Sequence, residues 1–499
     1  MSGGLSRAIL DAIVAAPDED TPRLVYADWC DDNGLAERAE FVRVQVERAR
    51  LPAWDAAQVP LRLRERELLH RYGEGWLAEM PAVPGARWEG FRRGVVAEVS
   101  FSSFEAMRKY AHACRAVAPV EAVTVRWPRR GEARTAGRPI TELQELTLTG
   151  RPFDDEIAWL AGSPQLATVR TLAVLGLSAD DLVTILASPH LSGLRALRLP
   201  SNGLGNAGVL ALTQSPALTR LGELTLSGPG YYAEYYDDPI INAAGMRRLA
   251  GWPGLAGVRS LTLAGSDVRR DGLRALLRSP HAAGIKELSL RSSRLDGQAM
   301  AEFEAAVSGL RLETLDLGEN VLKDVGTEYV ASAPCLAQLK LLRLDRCEIS
   351  RAGARLLAKK ATFLGGLGVL DVGHNHFGAP GLGALLERKP PVLHTLGLRD
   401  NDLLDKGAEL LAGSPASDPL LDVDLSRNDL GADAALALGA TPHLRGLLAL
   451  RLTDNRVTGA VAAGLKASPL GQRLTLLEVA DEPPPRPLAP AHGPDDIPF

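Results

Sequence analysis

Large apolar residues recur along the chain in short runs with the spacing L-x-x-L-x-L. The clearest run, residues 312–317, reads LETLDL and is followed by a polar turn that ends at Asn320. Apolar and polar positions that alternate over a few residues predict a half-buried β-strand. The same pattern returns at residues 393–398 and 447–452. The chain is therefore built from copies of one strand-forming unit.

The copies follow a regular period. Most central apolar residues of successive runs are 26 to 28 residues apart. These central residues are Val123, Leu146, Leu172, Leu197, Leu224, Leu261, Leu288, Leu315, Leu342, Leu370, Leu396, Val423, Leu450 and Leu477. A sustained period of this length is typical of leucine-rich repeats. The predicted fold class is α/β: a curved leucine-rich-repeat solenoid of about 13 repeats, with parallel strands on the concave side and helices on the convex side.

A polar residue recurs five positions after the central residue of most runs. The residues at this position are Asn202, Asn320, Cys347, Asn375, Asn401, Asn428 and Asn455, with Pro229, Ser266 and Ser293 in earlier units. An amide side chain both donates and accepts hydrogen bonds, so it can satisfy buried backbone groups of two neighbouring coils. We therefore expect a ladder of asparagines along the later repeats.

The second half of each unit is predicted to be helical. We expect a glycine to open the helix in many units (Gly208, Gly272, Gly326, Gly353, Gly381, Gly407). A proline ends it (Pro189, Pro216, Pro280, Pro415, Pro442, Pro469), because proline cannot continue a helix. Over residues 140–480 this pattern resembles the ribonuclease-inhibitor class of leucine-rich repeats. The resemblance implies a horseshoe with a binding role, but not ribonuclease inhibition, since partner choice depends on the variable positions.

The N-terminal region has a different pattern. Helical spacing predicts helices over residues 5–16, 22–33 and 36–50. The second helix contains the run RLVYADW at residues 23–29, which with residues 39–45 resembles the bacterial repeat-companion domain, a module that precedes leucine-rich repeats. This family carries no settled biochemical activity.

These patterns predict four segments. Residues 1–50 form the helical repeat-companion module, and residues 51–118 form a connecting α+β region that caps the array. Residues 119–480 form the leucine-rich-repeat horseshoe. The proline-rich residues 481–499 form a disordered tail, because they cannot bury enough apolar surface to pack.

Composition narrows the possible functions. The 499-residue chain carries a net charge of −5, which argues against a broad nucleic-acid-binding surface. A basic loop at residues 126–134 contains Trp127 and could touch nucleic acid, but a solvated loop at a module junction explains it better. No apolar run is long enough to span a membrane. The four cysteines are scattered, so we expect a reduced cytoplasmic setting, and we predict no cofactor.

Catalysis and metal binding have weak support. Asp28, Asp31 and Asp32 could act as paired carboxylates, but they also suit a helix end and its turn. His374, His376 and His394 lie on adjacent coils, but no further ligand accompanies them. We predict no catalytic residue and no metal site.

The variable positions of the strands carry the candidate partner-binding residues. They form a strip of mixed charge on the concave side: Arg291, Asp316, Arg343, Asp345, Asp371, Arg399, Asp424 and Arg451. Neighbouring strands lie about 4.8 Å apart, so these charges can pair sideways. The strip is either a solvated, self-neutralising ladder or a polar protein-binding surface that uses charge for selectivity.

One insertion interrupts the period. The step from Leu224 to Leu261 spans 37 residues, and the excess concentrates Tyr231, Tyr232, Tyr235 and Tyr236. Tyrosine provides a large amphipathic contact with few torsions to order. The tyrosines either contact a partner or fold back over the core.

The predicted function is a non-enzymatic scaffold that binds a protein partner through the concave face and the tyrosine-rich loop. Two alternatives stay open: an enzyme whose chemistry lies in the N-terminal module, and a structural protein that self-associates.

Overall fold

The structure is a computed structural model that describes residues 2–127, 143–150, 154–200, 203–228, 240–306 and 309–479. The described residues form two compact units. The first comprises residues 2–200 and 215–220, and the second comprises the rest of the described chain. The predicted boundaries at residues 50, 118 and 480 stay predictions.

The first unit begins with helices and continues into strand–helix repeats. Its helices are α1 (Ser2–Ala15), α2 (Thr21–Asp32), α3 (Ala36–Arg50), α4 (Gln58–Leu68), α5 (Glu74–Ala78), α6 (Phe104–Arg115), α7 (Asp154–Ala161) and α8 (Ala179–Leu186). Its strands are β1 (Ala86–Arg92), β2 (Val95–Phe101), β3 (Ala122–Arg126), β4 (Glu145–Thr149), β5 (Thr171–Val174) and β6 (Ala196–Leu199). Strands β1 and β2 form an antiparallel hairpin, and β2 to β6 pair in parallel.

The three N-terminal helices match the predicted ones within one to three residues at each end. They bury Ile13 of α1, Ala27 of α2 and Val42 of α3 in one core, which also takes in Val95 of the hairpin. The turn of that hairpin requires Gly94, which has a φ of +89° and lies so close to α3 that a Cβ would stand 2.4 Å from the Val42 Cα. The hairpin is thereby locked onto α3.

The second unit alternates short strands and helices throughout. Its strands are β7 (Glu223–Leu226), β8 (Ser260–Thr262), β9 (Glu287–Ser289), β10 (Thr314–Asp316), β11 (Leu341–Arg343), β12 (Val369–Asp371), β13 (Thr395–Gly397), β14 (Asp422–Asp424), β15 (Ala449–Arg451) and β16 (Leu476–Glu478). Its helices are α9 (Gly205–Gln214), α10 (Ala243–Ala250), α11 (Arg269–Leu277), α12 (Ala301–Glu304), α13 (Lys323–Ser332), α14 (Arg351–Lys360), α15 (Gly378–Glu387), α16 (Leu404–Gly413), α17 (Ala432–Gly439) and α18 (Gly459–Ala467).

The predicted strand positions are confirmed. Every central residue, from Val123 to Leu477, lies on a strand, and the strands of the second unit pair in parallel with these residues in register, as for Leu315 and Leu342. Leu312, Leu315 and Leu317 are fully buried, and each such side chain stabilises the fold by about 2 kcal/mol. The α/β solenoid predicted from the repeat period is the observed architecture.

The asparagine ladder is also confirmed in the later repeats. The amide group of Asn375 donates to the backbone oxygens of Leu344 and Val372, each at 2.8 Å. Its oxygen accepts from the backbone N–H groups of Cys347 and Ile349, at 3.1 and 2.9 Å. One buried side chain therefore satisfies backbone groups in its own repeat and in the preceding one. The equivalent earlier positions Asn202 and Pro229 lie outside the described residues.

The residue before each ladder position adopts a left-handed backbone conformation. The φ of Glu319, His374 and Asp400 lies between 54° and 57°, and Arg346, Arg427 and Asp454 share this conformation. A side chain in this region costs about 1 kcal/mol. The ladder hydrogen bonds hold the turn in this conformation, and this feature is not apparent from the hydrophobic spacing.

The expected position of the helix glycines is wrong by two or three residues. Helix α13 begins at Lys323, because the carbonyl oxygen of buried Leu322 accepts from the Gly326 N–H at 3.0 Å. Gly326 is the fourth residue, and a Cβ there would lie 2.9 Å from the Cα of Gly297 in the preceding repeat. These glycines permit close stacking of neighbouring coils. The prolines, in contrast, follow two or three residues after the helix ends, as predicted.

We predict that Asn375→Ala lowers the free energy of unfolding by about 3 kcal/mol, because it leaves the Cys347 and Ile349 N–H groups buried without a partner. Urea denaturation measures the loss. The control is His376→Ala, one residue later, whose side chain is 72% exposed and pairs only with exposed Asp402. Equal losses in both variants would contradict a structural role for the ladder.

We predict opposite effects of alanine at two helical glycines. Gly326→Ala lowers stability by about 1–3 kcal/mol, since the new methyl group overlaps the preceding repeat. Gly464→Ala on α18, where a Cβ meets nothing within 4 Å, raises stability by about 0.5–1 kcal/mol through the entropy of the unfolded chain. Thermal unfolding of both variants checks the two signs, and stabilisation by Gly326→Ala would refute the close-stacking role.

Candidate interaction surface

We call the surface that carries the charged residues of the strip the strand face. All eight charged residues predicted to bind a partner lie within the described part of the chain. Five lie at the ends of strands: Asp316 on β10, Arg343 on β11, Asp371 on β12, Asp424 on β14 and Arg451 on β15. The other three, Arg291, Asp345 and Arg399, lie two residues beyond the ends of β9, β11 and β13. Their role in binding stays a prediction.

Arg291 is the centre of a half-buried ion-pair cluster. Its guanidinium group donates to both carboxylate oxygens of Asp345, at 2.8 and 2.5 Å, and to Glu319 at 3.0 Å. It reaches across Gly318, where a Cβ would lie 2.3 Å from the Arg291 Nη1. Burial lowers the pKa of Arg291, but hydrogen bonds and charge from Asp345, Asp316 and Glu319 outweigh it, so the net pKa is raised. This side chain is held inside the face.

Arg343 compensates two strand carboxylates only in part. It lies in register between Asp316 and Asp371 on the adjacent strands. Burial raises the pKa of Asp316, while Arg291, Arg343 and the Gly318 N–H oppose that rise. The simple sideways pairing of Asp316, Arg343 and Asp371 is therefore replaced by a bridge from Arg291 to Asp345, two strands away.

Asp371 and Asp424 flank a glycine hollow on the strand face. Gly397 lies in register between them, and a Cβ at Gly397 would stand 2.6 Å from the Asp371 Oδ1. Each carboxylate accepts a backbone N–H two residues later, from Gly373 and Ser426, each at 2.9 Å. Neither forms an ion pair with a residue that the structure describes. We call these two carboxylates with Gly397 the acidic hollow.

The pKa of Asp371 reflects the absence of an ion-pair partner among the described residues. Burial, together with the negative charges of Asp345 and Asp424, raises its pKa to about 7. The Gly373 N–H and the charge of Arg343 reduce this rise. A cation placed over the acidic hollow would favour the ionised form of Asp371.

The two arginines near the C-terminal end of the strip, Arg399 and Arg451, each form an ion pair. Arg451 donates to buried Asp422 at 2.6 Å and lies 3.5 Å from Glu478. Arg399 bonds Asp454 at 3.1 Å, and the Asp454 side chain is 62% exposed. The strip is thus neither fully neutralised nor fully free: its excess charge is concentrated at the acidic hollow.

Sequence reasoning identified Glu319 as a variable position but missed three acidic partners of the strip, Asp422, Asp454 and Glu478. Glu319 and Asp454 immediately precede ladder asparagines, and Asp422 lies two residues before Asp424. The left-handed turn brings Glu319 towards Arg291, so the relevant sequence feature is an acidic residue directly before the ladder position.

The remaining candidate residues differ in their surroundings. The tyrosine-rich loop lies outside the described residues. Trp127, the aromatic residue proposed for nucleic-acid contact, is 2% exposed and packs on Phe104 with ring centroids 5.5 Å apart. It is therefore not available for base stacking. Residues 128–134 of that basic loop lie outside the described residues.

The carboxylates and histidines considered for chemistry are mostly solvated or paired. Asp28 and Asp31 are exposed and both bond Arg43 at 2.7 Å, and Asp32 is exposed. His374 and His376 each contact an aspartate at 2.8 Å. The described part of the chain holds no group of three or more metal-ligating side chains.

Comparisons with known proteins support the repeat assignment. A family model described as Leucine Rich repeat matches residues 367–386. Ribonuclease inhibitor of Sus scrofa is 30% identical over 309 residues, and ribonuclease inhibitor of Mus musculus is 28% identical over 218 residues. The aligned regions cover 57% and 42% of this chain, and 64% and 45% of those proteins. The chain thus spans less than two thirds of each relative.

The sequence of these repeats is therefore similar to that of ribonuclease inhibitor. Solved structures with a similar arrangement include yeast Rad7 in complex with Elc1 and an internalin from Listeria monocytogenes. Their TM-scores are 0.43 and 0.39, both at 17% identity. They cover 70% and 68% of this chain, and 80% and 81% of their own.

Within the described residues, no helix has the length and apolar character needed to cross a membrane.

We predict that Asp371→Asn stabilises the protein in a pH-dependent way. The folded protein holds the Asp371 proton up to about pH 7, whereas an unfolded aspartate loses it near about pH 3.9. The folded pKa is raised, so stability from this group is lost as pH rises from about 4 to about 7. Asparagine avoids that ionisation and keeps an oxygen for the Gly373 N–H.

The variant should therefore exceed the wild type by roughly 1–3 kcal/mol at pH 8 and converge with it at pH 4. Urea denaturation across this pH range provides the measurement. Glu387→Gln, at an exposed carboxylate on α15, is the control and should show no such trend. A constant difference between wild type and Asp371→Asn would show that burial does not raise this pKa.

Proposed function

We propose that this chain is a non-enzymatic scaffold that binds a protein partner through the strand face of its second unit. The observation that carries the proposal is the acidic hollow, where Asp371 and Asp424 flank Gly397 without a cation. A scaffold that served stability alone gains nothing from two carboxylates that form no ion pair with a described residue, because burial of charge without full compensation is unfavourable.

The hollow fits a cationic side chain. Gly397 and Gly373 present no side chains of their own, so a lysine or arginine of the partner can approach the carboxylates. A charge-assisted hydrogen bond to a carboxylate is stronger than a neutral one. The neighbouring ion pairs hold the surrounding side chains in place, so the partner meets a preorganised surface.

The similarity to ribonuclease inhibitor supports the binding role. By its name that relative acts on another protein, ribonuclease. We do not extend that partner to this chain, since the acidic residues of the hollow are variable positions of the repeat. The proposed partner is a protein that presents a basic segment.

The tyrosine-rich loop is proposed as a second contact. Tyr231, Tyr232, Tyr235 and Tyr236 offer amphipathic contact surface, and in the sequence the insertion comes directly after β7. This part of the proposal rests on the sequence alone.

The N-terminal assignments are likewise proposals that rest on sequence. We infer a bacterial repeat-companion module at residues 1–50, a connecting region at 51–118, the repeats at 119–480 and a disordered tail at 481–499, in a cytoplasmic protein. The alternative of an enzyme requires desolvated carboxylates around Asp28 to Asp32. The exposure of Asp28, Asp31 and Asp32 disfavours it.

We predict that Asp371→Lys combined with Asp424→Lys abolishes partner capture. The test compares tagged wild-type and variant chains as bait in extracts of the source cells, followed by mass spectrometry. Two carboxylate contacts are lost and two repulsive charges appear, so recovery of the specific partner should fall at least about tenfold. The control is Glu387→Lys on the helix side, which should retain the partner.

Thermal unfolding of each bait shows whether the double variant is folded. If it is folded and captures the same protein as the wild type, the proposed surface is wrong. Recovery of this chain itself, lost in the same variant, would instead favour self-association.

We predict that Tyr232→Ala with Tyr235→Ala weakens capture of the same partner and leaves the melting temperature nearly unchanged. A large drop in melting temperature with unchanged capture would show that the tyrosines cover the core instead.

A further inference from the structure

A cleft of about 900 Å³ opens in the first unit beside the starts of strands β4 to β6. One side is formed by the end of α1 and by Pro17. The other lining groups come from the end of α6 and from the residues that precede the strands. This volume is in the range of clefts that bind small molecules. The cleft lies far in sequence from the strand face of the second unit.

Three arginines line the cleft. Arg170 and Arg195 hold equivalent places directly before β5 and β6, and the Arg195 N–H donates to the Arg170 carbonyl oxygen at 2.7 Å. Their side chains therefore start from neighbouring coils. Arg115, the last residue of α6, contributes the third guanidinium group. Arginine offers a rigid fork of N–H donors that matches phosphate and carboxylate oxygens.

The positive charge of the cleft is only partly compensated from within. The cleft contains two carboxylates, Asp11 and Glu121. Glu121 already accepts a hydrogen bond from fully buried Arg23, and its carboxylate lies 3.9 Å from the guanidinium group of Arg93. Arg170 pairs with Asp18, but both side chains are about half exposed, so this pair is worth little and can be exchanged. Arg195 is exposed and forms no ion pair with any described residue.

An apolar wall accompanies the arginines. Val14 of α1 and the segment Pro119 and Val120 line the same cleft. An anionic group alone would make no contact with these apolar residues. A molecule with an anionic end and an apolar or aromatic body would contact both the arginines and the apolar residues. Sites of this mixed character orient small ligands through a few charged groups and bind their bodies by apolar contact.

We propose that this cleft binds a small phosphate ester. Its phosphate groups lie against Arg170 and Arg195, and its apolar or aromatic body lies against Val14 and Pro119. The site is separate from the proposed protein-binding surface, so either proposal can fail alone.

Isothermal titration calorimetry of the full chain tests the site with three probes in the absence of metal ions: ATP, pyrophosphate and adenosine. ATP should bind most tightly because it has both phosphate groups for the arginines and an aromatic base for the apolar residues. Pyrophosphate should bind more weakly, and adenosine should show no measurable binding. Binding of ATP should weaken as salt is added, since it depends on charge.

Arg170→Ala combined with Arg195→Ala should lower ATP affinity at least about tenfold, because charge-assisted hydrogen bonds are lost. The matched control is Arg247→Ala with Arg248→Ala, which removes two exposed arginines of α10 in the second unit. It should leave the affinity unchanged. Circular dichroism and thermal unfolding establish that both double variants are folded.

Two results would overturn the proposal. One is the absence of heat from ATP and pyrophosphate at millimolar concentration with folded wild-type protein. The other is an ATP affinity that is the same in the wild type and in the folded Arg170 and Arg195 variant, since binding would then occur elsewhere. Val14→Asp supplies a further measurement: it should reduce the advantage of ATP over pyrophosphate.

Discussion

The hydrogen bonds of the buried asparagine ladder are the interaction on which the repeat structure depends. Each strand of the second unit beyond β7 contains only three residues, so strand pairing alone leaves much of every coil unpaired. The turn that follows each strand is buried, and its backbone groups need partners. Asn375 supplies five such hydrogen bonds from one side chain, three of them to the preceding coil, at Leu344, Cys347 and Ile349. The ladder thereby links each coil to the next.

The ladder also determines how the helices and the strand face are placed. It holds the residue before each asparagine in the left-handed region, and this turn directs the chain into the next helix. Neighbouring coils can stack closely because Gly326 and its equivalents carry no side chain at the contact between helices. With the coils held in register, polar residues of successive strands lie side by side. The charged strip is a consequence of that register.

Within the strip, Arg291 and Asp371 respond differently to the partial burial of their charged groups. Arg291 lies within ion-pair distance of three carboxylates, which stabilise its positive charge. Asp371 finds only backbone N–H groups and the partial influence of Arg343, so its pKa rises to about 7. Both sites contain a glycine, but the guanidinium group of Arg291 lies over Gly318, whereas the nearest described atoms over Gly397 belong to Asp371 itself. This contrast is the physical basis for the proposal that Asp371 and Asp424 contact a partner.

The amino-acid sequence by itself determined the strands, the ladder and the ends of the helices. Leu315, Asn320 and the terminating prolines act through local spacing and through the chemistry of their own side chains, which a sequence displays directly. The tertiary structure decided which charges meet. The bridge from Arg291 to Asp345 depends on residues 54 apart and on the absence of a Cβ at Gly318. The cleft with Arg170 and Arg195 likewise forms only when α1 packs beside distant strand starts. Such pairings depend on distance and burial in three dimensions, and the repeat period contains neither.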